Sequence, residues 1–284
     1  MTGQLKVAVL GAGQMGSGIA TLLADAGHEV TSWDAVPAAL ERLPSNIKTT
    51  LELEDAVRGA DLIMEAIAED MDIKHGVYKR ISAVNENGIL ASNTSSLSAS
   101  ALAEAVSNPG RFAIAHFFNP PRLVPLVEIV PASSTREDVL QTLKDVLAHA
   151  GKLPVVLMKE APGFVANRLQ AALLREAFSL VEDGVVSPED LDLVVRASIG
   201  PRWAAGGPMT ITDLGGLDIW KAVTTQLYPV LSNTDTPPRT ITDRVDKGEL
   251  GAKTGTGIYQ HKPEEDQRVK DRIEEHFKLE FPNL

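Results

Sequence analysis

The stretch VAVLGAGQMGSGIA, residues 7–20, constrains the fold of this chain more than any other. Leu5–Leu10 reads as a buried strand and Ser17–Gly27 as a helix stopped by glycine. Between them stand Gly11, Gly13 and Gly16 in the spacing Gly-x-Gly-x-x-Gly. Glycines so placed could simply make a tight turn. The second apolar run, Glu29–Asp34, ends in an acid at roughly the 20-residue distance where a dinucleotide fold places the carboxylate for the ribose hydroxyls. In that arrangement Gly11 permits the turn, Gly13 lets the backbone approach a pyrophosphate, and Gly16 lets the helix pack on the strand. Gln14 and Met15 lie in the same turn, and the helix N-terminus favours the anion. Asp34 would repel a 2′-phosphate, and Ala35, Val36 and Pro37 include no arginine to receive one, so NAD is expected rather than NADP.

The alternation continues. A short helical piece at Ala38–Leu43 and a weak strand at Ile47–Thr50 come next, followed by strands at Asp61–Ile67, Gly88–Ser92, Phe112–Phe117, Val124–Val130 and Leu153–Met158. Helices are expected at Ile73–Val84, Ala99–Val106 and Asp138–Ala150. Strand and helix in turn predict an α/β domain, a doubly wound parallel sheet covered on both faces. After Lys159–Phe164 long helical periodicity takes over, and Ser187-Pro188-Glu189-Asp190 supplies an N-cap, a first-turn proline and first-turn acids. The expected division is therefore 1–160, α/β, and 161–284, all-α, with a polar loop at Asn233–Thr240 and a charged helix over Lys262–Leu284. A length of 284 residues accommodates two such domains.

Composition narrows the partners. The net charge of −11 argues against nucleic acid or an anionic membrane. The absence of cysteine fits a reducing, cytoplasmic setting, and the six histidines form no HxxxH or HxH pair, so no metal site is expected. The N-terminal apolar run flows into the glycine motif rather than a cleavage site, and neither a signal peptide nor a membrane span is expected.

The second constraint is the stretch AHFFNPPRLVPLVEIV, residues 115–130. His116 falls at the carboxyl end of a predicted parallel strand, the edge where open α/β sheets bind ligands. An imidazole there suits the removal of a hydroxyl proton as hydride leaves, and a carboxylate on its other nitrogen would fix the tautomer. Glu128, inside an apolar run, is the candidate for that carboxylate; the alternative is an edge-strand residue facing water. Asn93, Thr94, Ser95 and Ser96 follow another strand, where they would either cap a helix or meet substrate and nicotinamide. Asn167 falls inside a helical pattern, an unfavourable place for asparagine unless its amide has a task or faces solvent.

Taken together, GAGQMGSGIA, EAIAED, SNTSSLS, HFFNP, LVEIV, APGFVANRL and GPMTITDLGGLD resemble the 3-hydroxyacyl-CoA dehydrogenase family in order and spacing, from about Leu5 to Tyr259. The resemblance implies that His116 is a catalytic base paired with Glu128, and that Ser95 and Asn167 contact the reacting oxygens. It also implies that Glu69 and Lys74 join Asp34 and the glycines in holding NAD, and a Rossmann-like domain followed by an all-α domain that dimerises. A hydroxyl β to a thioester carbonyl would be oxidised to the 3-oxo product.

One departure bears on the substrate. Acyl-CoA members carry a long helical hairpin after the second strand, whereas here only residues 35–60 separate Asp34 from Asp61. NPPRLVPLVEIVP, GPRWAAGGP and the charged tail are similar to a wider branch that includes dehydrogenases of L-gulonate, carnitine and a pyridine carboxylate, which act on free acids. Arg122 and Arg202 are then candidate carboxylate clamps, their alternative being solvated surface arginines. A carrier-bound acyl group is a third substrate class. The rival outside enzymology is a cofactor-binding structural protein, against which the intact Ser95, His116, Glu128 and Asn167 argue.

Overall fold

The structure, a computed structural model, describes residues 3–282. The chain divides into two compact units, the first running to Val165 and the second spanning Ala166–Glu280.

The first unit is built on one eight-stranded sheet. In chain order its elements are β1 (Lys6–Leu10), α1 (Gln14–Asp25), β2 (Glu29–Trp33), α2 (Pro37–Leu40), β3 (Lys48–Thr50), α3 (Leu53–Val57), β4 (Leu62–Glu65) and α4 (Met71–Val84). There follow β5 (Ile89–Ser92), α5 (Ala99–Ala103), β6 (Phe112–Phe117), β7 (Leu126–Pro131), α6 (Glu137–His149) and β8 (Leu153–Val156). The strand order is β3-β2-β1-β4-β5-β6-β7-β8, so the sheet reverses direction of growth beside β1. That reversal is the topological switch point at which open α/β sheets bind ligands.

Strands buried on both faces need apolar residues at every position, which is why they read as continuous runs. Val7 and Val9 pack with Ile19 and Leu23 of α1 and with Leu143 and Val146 of α6 on one face. Ala8 and Leu10 pack with Leu53 of α3, Tyr78 of α4 and Leu102 of α5 on the other.

Two sequence expectations are corrected, and one open alternative is decided. The sheet is not parallel throughout: β7 runs antiparallel to β6, while β8 is parallel to β7. A parallel crossover takes a dozen or more residues, and the short loop from Phe118 to Pro125 is shorter than that. Glu128 does not face water from an edge, because β7 lies between β6 and β8. Residues 35–60 hold a second short helix, α3, beyond the one helix and one strand expected.

The second unit is helical: α7 (Ala166–Glu182), α8 (Pro188–Val194), α9 (Gly200–Gly215), α10 (Leu217–Leu227), α11 (Arg239–Asp246) and α12 (Pro263–Glu280). Ser187 caps α8 as its sequence suggests, its hydroxyl accepting from the Asp190 N–H at 3.1 Å. The helix α9 breaks at Gly207, whose φ of 71° is open to glycine, and resumes at Pro208. The helix expected over Lys262–Leu284 spans Pro263–Glu280, residues 283 and 284 lying outside the described residues. Among the described residues no helix is long and apolar enough to cross a membrane.

Candidate active site

The loops that leave the carboxyl ends of β1, β2, β4 and β5 gather at one edge of the sheet. At β1, Gly11 takes φ 92°, and a Cβ there would lie 2.5 Å from the Ala66 carbonyl oxygen. A Cβ on Gly16 would lie 1.8 Å from the Gly11 carbonyl oxygen, so α1 abuts its own loop as closely as a glycine allows. At Gly13 no atom beyond its chain neighbours lies within 4 Å of the Cβ position, leaving bare backbone at the N-cap of α1, where no side chain supplies a cap. Unmet N–H groups at a helix start favour an anion. Asp34 braces this loop, Oδ2 accepting from the Ala12 N–H at 2.7 Å and Oδ1 from the Val36 N–H at 2.8 Å. Bare glycine backbone, a free helix start and a carboxylate at the end of β2 together fit a dinucleotide.

Farther along the sheet, His116 and Glu128 face each other directly across the antiparallel β6–β7 pair. Opposed residues share a face, and the register brings His116 Nδ1 to 3.0 Å from Glu128 Oε2. Both are buried, at 5% and 2% exposure. The other carboxylate oxygen, Oε1, accepts from the Val165 N–H at 3.0 Å. The imidazole is flanked by Phe118 and Phe164, with ring centroids at 4.5 and 5.3 Å. Phe164 holds this place with φ 54°, an uncommon backbone conformation for a side-chain-bearing residue. The Asn93 side-chain oxygen accepts from the Phe117 N–H at 2.9 Å, tying the loop after β5 to the strand that carries His116.

That loop is organised by Glu69. Its Oε1 accepts from the Thr94 hydroxyl at 2.6 Å, the Ser95 N–H at 3.0 Å, and the Ser96 N–H and hydroxyl at 3.2 and 2.9 Å. Partial burial pushes the Glu69 carboxyl up, but the donors from Thr94, Ser95 and Ser96 outweigh it and hold the group below its ordinary range. Lys74 is buried beneath, its Nζ 2.6 Å from Glu65 Oε1 and 3.6 Å from Glu69 Oε2.

Arg122 is exposed and pairs with Asp25, in the last turn of α1, at 3.1 Å. Arg202 lies in the first turn of α9 in the second unit, exposed, with its Nε donating to the Ser198 carbonyl at 3.3 Å. Asn167 is the second residue of α7 rather than a mid-helix residue.

Sequence reasoning passed over Glu65, Tyr78, Ser92 and Phe164. Glu65 carried a signal, since a carboxylate within Asp61–Ile67 sits in an otherwise apolar strand. Lys152 was also missed; it is buried, its Nζ donates to the Val124 carbonyl at 3.0 Å, and burial together with the nearby Arg122 charge lowers its pKa to about 8.

Two family profiles match most of the chain, from residue 6 to residue 261. The 3-hydroxyacyl-CoA dehydrogenase NAD binding domain matches residues 6–52 and 39–161, and the 3-hydroxyacyl-CoA dehydrogenase C-terminal domain matches residues 163–261. The chain is 37% identical over 288 residues to 5-formyl-3-hydroxy-2-methylpyridine 4-carboxylate 5-dehydrogenase of Mesorhizobium japonicum, with 93% of each covered. A crystal structure of an enzyme of that name, described as an NAD+ dependent dismutase, superposes with a TM-score of 0.90 at 36% identity, covering 97% of this chain and 96% of that one. L-Carnitine dehydrogenase of Oceanobacillus iheyensis is 36% identical over 233 residues, 74% of this chain and 76% of the relative. The 3-hydroxyacyl-CoA dehydrogenase of Archaeoglobus fulgidus superposes with a TM-score of 0.74 at 34% identity, covering 97% and 99%.

Proposed function

The chain belongs to the 3-hydroxyacyl-CoA dehydrogenase family, NAD-dependent oxidoreductases acting on CH–OH groups, and on that premise we propose that its substrate is a small free acid rather than an acyl-CoA. The observation that carries this is the content of residues 35–60. They form two helices of four and five residues and a three-residue strand, with no long hairpin to hold a CoA. The higher TM-score with the pyridine carboxylate enzyme than with the acyl-CoA enzyme supports the same reading.

In this reading His116 is the base. Glu128, accepting at Nδ1, keeps the proton on that nitrogen and leaves the Nε2 lone pair for the substrate hydroxyl. As the proton arrives, the carboxylate stabilises the imidazolium, and the Val165 N–H holds the carboxylate in place. NAD, when bound, supplies the hydride acceptor for the carbinol C–H. The turn at Gly11 and Gly13 and the first turn of α1 with Gln14, Met15 and Gly16 would hold it, together with Asp34, Asn93 and Glu69, with Lys74 acting from beneath through Glu69. The Ser95 hydroxyl and the Asn167 amide orient the reacting oxygen; Asn167 follows two residues after Val165 in the chain. Arg122 meets a substrate carboxylate only by giving up Asp25, an exposed pair worth little and easily exchanged. Arg202 is the second cation offered to it. A hydrated aldehyde also presents a CH–OH group, so a formyl substrate, like that in the pyridine relative's name, requires no new chemistry.

The test follows NADH formation by the purified protein with L-3-hydroxybutyryl-CoA set against 3-hydroxybutyrate, L-carnitine, L-gulonate and the formyl pyridine carboxylate. A free acid is expected to exceed the thioester in kcat/KM by at least about tenfold, or about 1.4 kcal/mol in transition-state binding. Preference for the thioester would overturn the assignment.

The same reading makes the chain a homodimer through its second unit. Among residues 166–282 none is buried, and Met209, Leu214 and Leu217 stand 80%, 80% and 64% exposed. Apolar surface on that scale marks an interface. Light scattering is expected to give twice the 30.4 kDa chain mass, and Leu217→Asp to drive the protein to monomer or out of solution. A wild-type monomer at micromolar concentration would contradict this.

A further inference from the structure

Glu65 ends β4 with no exposure at all, and four donors surround its carboxylate. Oε1 accepts from Lys74 Nζ at 2.6 Å and the Ile67 N–H at 2.8 Å; Oε2 accepts from the Tyr78 hydroxyl at 2.5 Å and the Ser92 hydroxyl at 2.7 Å. Ser92 is its register partner on β5. Burial, and then the Glu65 charge, raise the Tyr78 hydroxyl well above its ordinary pKa, so it stays a donor. Lys74 is 1% exposed, too enclosed to act as a surface cation. From this cluster two routes reach the loop that carries Ser95. One passes through Lys74 to Glu69 Oε2, leaving Glu69 Oε1 to gather Thr94, Ser95 and Ser96. The other passes through the Ser92 hydroxyl, which accepts from the Thr94 N–H at 3.3 Å.

We infer that Glu65 is a positioning residue for the Ser95 loop, acting through Lys74, Glu69 and Ser92 without touching substrate or cofactor. The physical argument is one of orientation. A buried ion pair adds little net stability over apolar residues of the same volume, yet removing one partner strands the other charge at a cost of about 3–5 kcal/mol. Such a pair is useful where one arrangement of a polar loop must win. Lys74, fixed by Glu65, fixes one oxygen of Glu69, and the remaining oxygen sets where the Ser95 backbone lies. The inference rests on the reading that Ser95 orients the reacting oxygen.

The experiment compares Glu65→Gln, Glu65→Gln/Lys74→Met and Ser95→Ala by thermal melting and steady-state kinetics with NAD and the best substrate of the panel. Glu65→Gln leaves Lys74 unpaired and is expected to lower the melting temperature; the double variant removes the stranded charge and regains stability. Turnover is the discriminating readout. In the double variant kcat is expected to stay between about tenfold and about a hundredfold below wild type, the scale of an ångström-level misplacement, although the fold is restored. Adding Ser95→Ala to it should cost less than Ser95→Ala costs the wild type. Recovery of wild-type kcat along with stability would show that Glu65 serves the fold alone and overturn the inference. If Glu65→Gln fails to fold, the double variant and Ser92→Ala decide on the same terms. Full turnover by Ser95→Ala would overturn both the role of Ser95 and the inference built on it.

Discussion

His116→Ala is expected to lower kcat by about 10²–10⁴-fold, the contribution of a well-placed general base, while leaving NAD affinity near wild type. The separation follows from the sheet. His116 lies on β6, whereas the glycine loop lies at β1, with β4 and β5 between them. The substitution also opens a space between Phe118 and Phe164, so a modest loss of stability should accompany the loss of turnover. Glu128→Gln should reproduce much of the kinetic effect for a different reason. A glutamine amide can donate to Nδ1 and turn the ring to the wrong tautomer, placing the proton where the lone pair is needed. Stopped-flow turnover alongside calorimetric titration with NAD separates the two effects. Near-normal kcat in His116→Ala would remove the base from the mechanism.

Gly16→Ala carries the second large effect, and acts on the cofactor rather than the chemistry. The added methyl would lie 1.8 Å from the Gly11 carbonyl oxygen, which is backbone and has nowhere to rotate. The start of α1 must therefore shift by more than an ångström, taking the bare backbone at Gly13 with it. Overpacking of this kind costs about 1–3 kcal/mol of stability. The larger expected consequence is a loss of NAD affinity on the order of a hundredfold, since a shift of about an ångström in a positioning element has effects of that size. Titration calorimetry of the purified variant, with a melting curve to establish that it is folded, checks this. Wild-type affinity would mean that α1 and its loop do not hold the pyrophosphate.

Much of this architecture was legible because strands buried on both faces leave continuous apolar runs, and polar residues inside such runs stand out. His116 and Glu128 were visible on those grounds, and the antiparallel register that pairs them explains their spacing. The direction of β7 was missed although the signal was present: Phe118–Pro125 is too short for a parallel crossover. Glu65 was equally conspicuous inside its strand, but its partners Lys74, Tyr78 and Ser92 come from two other elements, and local pattern says nothing of such meetings. Arg122 stands out by its place after His116, but its pairing with Asp25, a contact spanning 97 residues of chain, is one that no spacing argument reaches. Phe164 followed only a glycine in the sequence, and nothing there announced a left-handed aromatic against the imidazole.

The central claim is that the neutral imidazole of His116 takes the proton, and the pH dependence of kcat/KM tests it most directly. In the wild type, log kcat/KM is expected to rise as pH increases and then to level off, as it does for catalysis by a single base. In His116→Ala, assayed at higher enzyme concentration with the same substrate, that rise should be absent. The same rise in both proteins would assign the titrating base to another group and contradict the account.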